Sequence, residues 1–127
     1  MKKQMVSITT ALCLTFLLSA SVFAANFDFT FTPPFLGSLK SSSSQLVPVA
    51  SSPYVNPSQS SASTTYYLSP SNATTTAATN YQSSHKSGTH SFTYRRGYGG
   101  SGTSVKLNGY PTNDNFENYT INGTWSP

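Results

Sequence analysis

The sequence predicts an all-β fold, a small antiparallel β-sandwich or barrel, and three observations predict it. Two segments, one opening near residue 27 and one closing the chain, alternate between apolar and polar residues. The strand-like runs between them are separated by clusters of Gly, Pro, Asn and Ser. No stretch beyond residue 24 shows the 3.6-residue apolar period of a helix.

The chain has 127 residues and opens with a segment of a different kind. Lys2 and Lys3 precede an apolar run from Ala11 to Leu18, and small residues follow at Ser19, Ala20 and Ser21. Val22-Phe23-Ala24 fits the small-x-small rule of signal peptidase, which predicts a signal peptide over 1–24 and cleavage after Ala24. A spanning helix needs roughly 20 apolar residues, and this run is shorter. Cys13 is the only cysteine and lies within the leader, so the mature chain has neither a thiol nor a disulfide.

The first strand is expected within residues 25–34. Phe27, Phe29 and Phe31 share one face, and Asp28, Thr30 and Thr32 share the other. Pro33-Pro34 ends it, because proline has no N–H to give the ladder. Residues 35–63 hold a serine run at 41–44, prolines at 48, 53 and 57, and a low-complexity stretch at 58–63. They read as a Ser/Pro-rich mobile loop or linker, with a short edge strand over Leu46, Val47 and Val49 as its one regular feature.

Residues 64–127 read as the main β-domain. Thr65-Tyr66-Tyr67-Leu68 is strand-like and runs into a turn at Ser69–Asn72; Thr74 to Tyr81 reads as a weaker strand, and Ser83 to Gly88 as a turn. Thr89 to Arg95 alternates, with Phe92 and Tyr94 inward. The glycine-rich run Gly97–Gly102 is a turn. In Thr103–Asn108, Val105 and Leu107 point inward and Lys106 outward. Gly109–Asn115 reads as a polar loop. The last strand places Tyr119, Ile121, Gly123 and Trp125 on one face and Thr120, Asn122 and Thr124 on the other. The expected core is therefore Phe27, Phe29, Phe31, Phe92, Tyr94, Val105, Leu107, Tyr119, Ile121 and Trp125, with aromatics dominant.

Charge is sparse. Beyond residue 24 the cations are Lys40, Lys86, Arg95, Arg96 and Lys106, and the anions are Asp28, Asp114 and Glu117. His85 and His90 are the only histidines, too few with these acids for a zinc site. There is no Gly-x-Ser-x-Gly elbow for a serine hydrolase. Asp114 and Glu117 could pair as glycosidase carboxylates, but in a polar loop beside Asn113 and Asn115 solvated turn residues are the simpler reading. Neither catalysis, cofactor nor metal is expected.

Arg95-Arg96-Gly97-Tyr98-Gly99-Gly100 reads in two ways: a strand end entering a glycine turn, or a basic, tyrosine-bearing tip that touches an anionic surface. Arg95, Arg96, Tyr98, His85 and His90 are the candidate contact residues. The expected partner is an anionic cell-envelope polymer, lipid or glycan. Export argues against nucleic acid, and no transmembrane anchor remains after cleavage.

Phe27-Asp28-Phe29-Thr30, Val105-Lys106-Leu107 and the ending Tyr119, Gly123, Trp125 resemble small exported proteins of Gram-positive bacteria that carry an uncharacterised domain. That likeness implies a small secreted β-domain. Asn80-Tyr81, His85 and Thr89-His90-Ser91 are similar to a stretch of the lactococcin-type unmodified bacteriocins. Those are exported β-sandwich peptides that act on the envelopes of sensitive bacteria. The two likenesses imply a secreted, cell-surface, non-enzymatic domain that acts by contact at a bacterial envelope, in a bacteriocin-like manner. The exposed tyrosines expected of this chain suggest a second function, as a binding or structural module for cell-wall or extracellular polysaccharide.

Overall fold

The computed structural model describes residues 24–32, 38–58, 62–85, 87–113 and 118–127, without the side chains of Ser84 and His85. The leader expected over 1–24 lies outside them apart from Ala24, as do Asp114 and Glu117. The described residues form nine strands in two antiparallel sheets, β1 (Ala25–Phe31), β2 (Lys40–Ser41), β3 (Gln45–Leu46), β4 (Tyr54–Pro57), β5 (Thr64–Pro70), β6 (Gln82–His85), β7 (His90–Ser91), β8 (Ser104–Pro111) and β9 (Tyr119–Ser126). One sheet has the order β1-β9-β4-β7. In the other, β6, β5 and β8 are adjacent, and β2 and β3 pair with different parts of the far edge of β8. The two sheets pack face to face, so the fold is a sandwich.

The alternation of β1 and β9 fixes the first sheet. Phe27, Phe29 and Phe31 are buried and pair with Gly123, Ile121 and Tyr119. A one-residue slip would turn all three phenylalanines into water, so the register is strongly specified. The rings stack along the core: Phe27 to Phe29 at 5.1 Å, Phe29 to Phe31 at 6.3 Å, and Phe31 to Tyr119 at 5.0 Å between centroids. Phe27 also meets Tyr66 of the second sheet edge-on at 5.8 Å. Val105, Leu107, Leu68, Val47, Val55, Phe92, Ile121 and Trp125 complete the core. Tyr94, expected inside, is partly buried against it. Across the interior, the hydroxyls of Thr64 and Tyr119 hydrogen-bond at 3.1 Å.

Four expectations about individual elements change. Residues 35–63 are not a bare linker. Their described part holds β2, β3 and β4, and β4 lies between β9 and β7, so residues 64–127 do not complete the first sheet alone. Val47, Val55 and Pro57 are buried there. Pro53 and Pro57 are accommodated because each sits where no ladder donor is needed. Pro53 offers its carbonyl to Phe92 N–H at 2.8 Å, and the ladder passes from Pro57 to Ser58, whose N–H reaches Asn122 O at 2.7 Å.

Thr74–Tyr81 is a turn and a single bridge, Thr79 to Tyr94, in place of a strand. The Thr79 hydroxyl accepts from Leu68 N–H at 3.0 Å where a strand would offer a carbonyl, an example of threonine competing with the backbone ladder. Ser83–His85 belongs to strand β6, because the edge of β5 takes any extended backbone, here with an irregular register. Gly109–Pro111 continues β8 and pairs with Tyr66, Thr65 and Thr64.

Candidate functional site

Tyr66 and Tyr67 are consecutive in β5, so they face opposite sides of the sheet. Tyr66 enters the core. Tyr67 stands on the outer face, opposite Asn108 of β8. It is nevertheless buried, because Tyr81 and Tyr110 flank it, with ring centroids 5.0 and 6.5 Å away. Its hydroxyl donates to Thr74 O at 2.5 Å, which ties the 71–80 segment down beside the ring. Burial raises the Tyr67 pKa, and the neighbouring phenols of Tyr81 and Tyr110 add to the rise.

Beneath these rings is a polar node. Asn108 is fully buried although it faces outward: its Nδ2 donates to Ser69 Oγ at 2.8 Å, and its Oδ1 accepts from Ser41 Oγ at 2.6 Å. One side chain thereby links β2, β8 and β5, and gives the outer face of the second sheet a rigid base.

Arg95 completes the row. Its guanidinium lies over the Tyr81 ring, 5.6 Å from the centroid. Backbone bonds hold both partners in place: Arg95 N–H to Ala78 O at 2.8 Å, Asn80 N–H to Thr93 O at 3.1 Å, and Thr93 N–H to the Asn80 side chain at 2.7 Å. Arg95 is exposed, Tyr81 is 43% exposed, and Tyr110 is half-buried. The surface offers a cation on a ring face, and aromatic edges beyond it. Such a row can receive an anionic oxygen on the guanidinium and an apolar sugar face on the rings.

Of the residues singled out from the sequence, Arg95, Arg96 and Tyr98 share one turn, in which Tyr98 N–H bonds to Arg95 O at 3.0 Å. Gly97 and Gly99 adopt φ of 88° and 80° there, a conformation that favours glycine. A side chain at Gly99 would collide with the Tyr94 ring, so the tip is folded down on that tyrosine. Arg96 and Tyr98 are exposed. His90 is half-buried and engaged in its own turn, its Nε2 2.9 Å from Ser87 O. The His85 side chain lies outside the described residues. Sequence reasoning did not place Tyr67, Tyr81 and Tyr110 together; the adjacent Tyr66-Tyr67 pair was the available signal, since one of two consecutive strand aromatics must face out.

Among the described residues, no group of three His, Cys, Asp or Glu side chains converges as a metal site would require. No protein-family model, curated protein or solved structure matches this chain.

Proposed function

We propose that this chain is a secreted, non-enzymatic β-domain that acts by contact at a bacterial envelope, with the Arg95–Tyr81–Tyr67–Tyr110 row meeting an anionic, sugar-bearing polymer. The observation that supports this is the guanidinium seated on Tyr81, at the end of a row of rings held by backbone bonds. Arg96 adds a second exposed cation next in the chain, and the sequence carries an excess of basic residues. An anionic polymer is attracted by these charges, and tyrosine faces suit its sugars. In this reading the leader over 1–24 directs export and is removed after Ala24.

A second, bacteriocin-like reading is favoured by a different observation. Leu46, in β3, and Val49, just after it, are 66% and 94% exposed, two apolar side chains able to enter lipid. The experiment that separates the readings uses the exported protein on isolated Gram-positive cell walls and on anionic lipid vesicles. Retention on walls without vesicle leakage supports polymer binding. Leakage that Leu46→Ser and Val49→Ser abolish supports the bacteriocin-like reading. Neither retention nor leakage rejects both.

A further inference from the structure

The outer face of the first sheet is chemically unlike the tyrosine face. Its short polar side chains come from β1, β9, β4 and the residue that follows β4: Asn26, Asp28 and Thr30; Thr120, Asn122 and Thr124; Asn56; and Ser58. Within it lies a shallow depression of about 440 Å³ lined by Asn26, Phe27, Asp28, Asn122, Gly123 and Thr124. The strand register explains its shape. Phe27 and Gly123 are directly paired; the Phe27 ring is turned into the core, and a Cβ at Gly123 would point at the backbone of Asn56 and Pro57, so the backbone of the pair is the floor. The pairs on either side, Asn26 with Thr124 and Asp28 with Asn122, form the rim. Neighbouring strands lie about 4.8 Å apart, and same-face residues about 6.7 Å apart along a strand. Four hydrogen-bonding side chains therefore stand close together around one stretch of exposed backbone.

The hydrogen-bonding state of the rim is specific. The Ser58 hydroxyl lies within hydrogen-bond reach of both the Asn122 backbone carbonyl, at 2.7 Å, and its side-chain Oδ1. With Oδ1 engaged, the free capacity of Asn122 is its two N–H donors. Directly across, the Asp28 carboxylate only accepts, and it has no hydrogen-bond or ion-pair partner among the described residues. The side chains of Asn26 and Thr124 likewise have no hydrogen-bond partner there. A carboxylate opposite an amide donor is the arrangement that a sugar hydroxyl completes: the hydroxyl donates to Asp28 and accepts from Asn122, while a neighbouring hydroxyl reaches Asn26 or Thr124. The one charge at the rim is negative, so the depression repels carboxylate and phosphate groups. We infer that the Asn26–Asp28–Asn122–Thr124 depression is a binding site for one unit of a neutral sugar, held by direct hydrogen bonds.

The site lies on the sheet opposite the Tyr81 row, so the inference stands apart from the proposed function. The test is an amide NMR titration of the exported protein with four probes: methyl α-mannoside, methyl β-glucoside, methyl β-galactoside and N-acetylglucosamine. Saturable shifts centred on Asn26, Asp28, Asn122 and Thr124 are expected with at least one probe. Asp28→Ala should weaken that binding about tenfold, as the loss of one charge-assisted hydrogen bond does. Because Asp28 is exposed, its thermal stability should be unchanged, and binding to cell walls through Arg95 should remain. Absence of saturable shifts with all four sugars, shifts centred on Tyr81 and Tyr110 instead, or full affinity in Asp28→Ala would overturn the assignment.

Discussion

The ring of Phe29, from strand β1, lies directly on the backbone of Gly109, from strand β8 of the opposite sheet. A Cβ at position 109 would stand 3.0 Å from two atoms of that ring and 3.4 Å from the methyl of Thr64. The separation of the two sheets at this point is set by an aromatic ring on one side and a missing side chain on the other.

Gly109→Ala should therefore destabilise by about 1–3 kcal/mol, because the ring is enclosed and has little room to give. Phe29→Leu, which removes ring edge, should cost less in the Gly109→Ala background than alone. A double-mutant cycle by chemical denaturation checks this, and strict additivity would show that the contact does not set the sheet spacing.

Trp125 is fully buried, and its indole N–H has no acceptor among the described residues. Trp125→Ala should cost about 3–5 kcal/mol through the cavity it leaves. Trp125→Phe should cost much less, since it also removes a buried unpaired donor, a liability of about 1–3 kcal/mol. Thr124→Ala, next in the chain and on the outer face, should stay within about 0.5 kcal/mol. Denaturant midpoints for the three variants check the order.

The first and last strands were legible because each buries one face only, so Phe27, Phe29 and Phe31 and then Tyr119, Ile121 and Trp125 appear at period two. Strand β4 was not legible, because Tyr54-Val55-Asn56-Pro57 stands among prolines that break strands in general but here sit where the ladder asks for no donor. β6 is rich in serine and extended only because β5 has an edge to fill. The Arg95 turn could be read from its glycines. The row beside it could not: Tyr110 reaches Tyr67 through the β5–β8 register, and Tyr81 reaches it through the fold of 71–80, both of which are long-range facts.

Alkaline pH should unfold the protein through its buried phenols. Burial pushes Tyr94 up to about 12 from an ordinary 10.0. Burial raises Tyr66 further still, and it also raises Tyr67 and Tyr119. A phenol with a higher pKa when folded holds its proton more tightly in the native state. That contribution is complete below pH 10 and is lost as pH climbs through the folded values. Denaturation midpoints should be level with respect to these groups up to about pH 10 and should fall above it. Tyr94→Phe should make the fall shallower, and a fall that it leaves unchanged would contradict the assignment.

The contact surface is tested most directly by the affinity of the exported protein for isolated Gram-positive walls, measured by co-sedimentation at low and high salt for the parent, Arg95→Ala and Tyr81→Ala. Both positions are exposed enough for the variants to fold, which unchanged Trp125 fluorescence would verify. Each variant should bind about fivefold more weakly at low salt, the equivalent of roughly 1 kcal/mol. The parent's advantage over Arg95→Ala should shrink as salt screens the charge. Equal affinity of all three proteins at both salt concentrations would contradict the account and place the contact surface elsewhere on the sandwich.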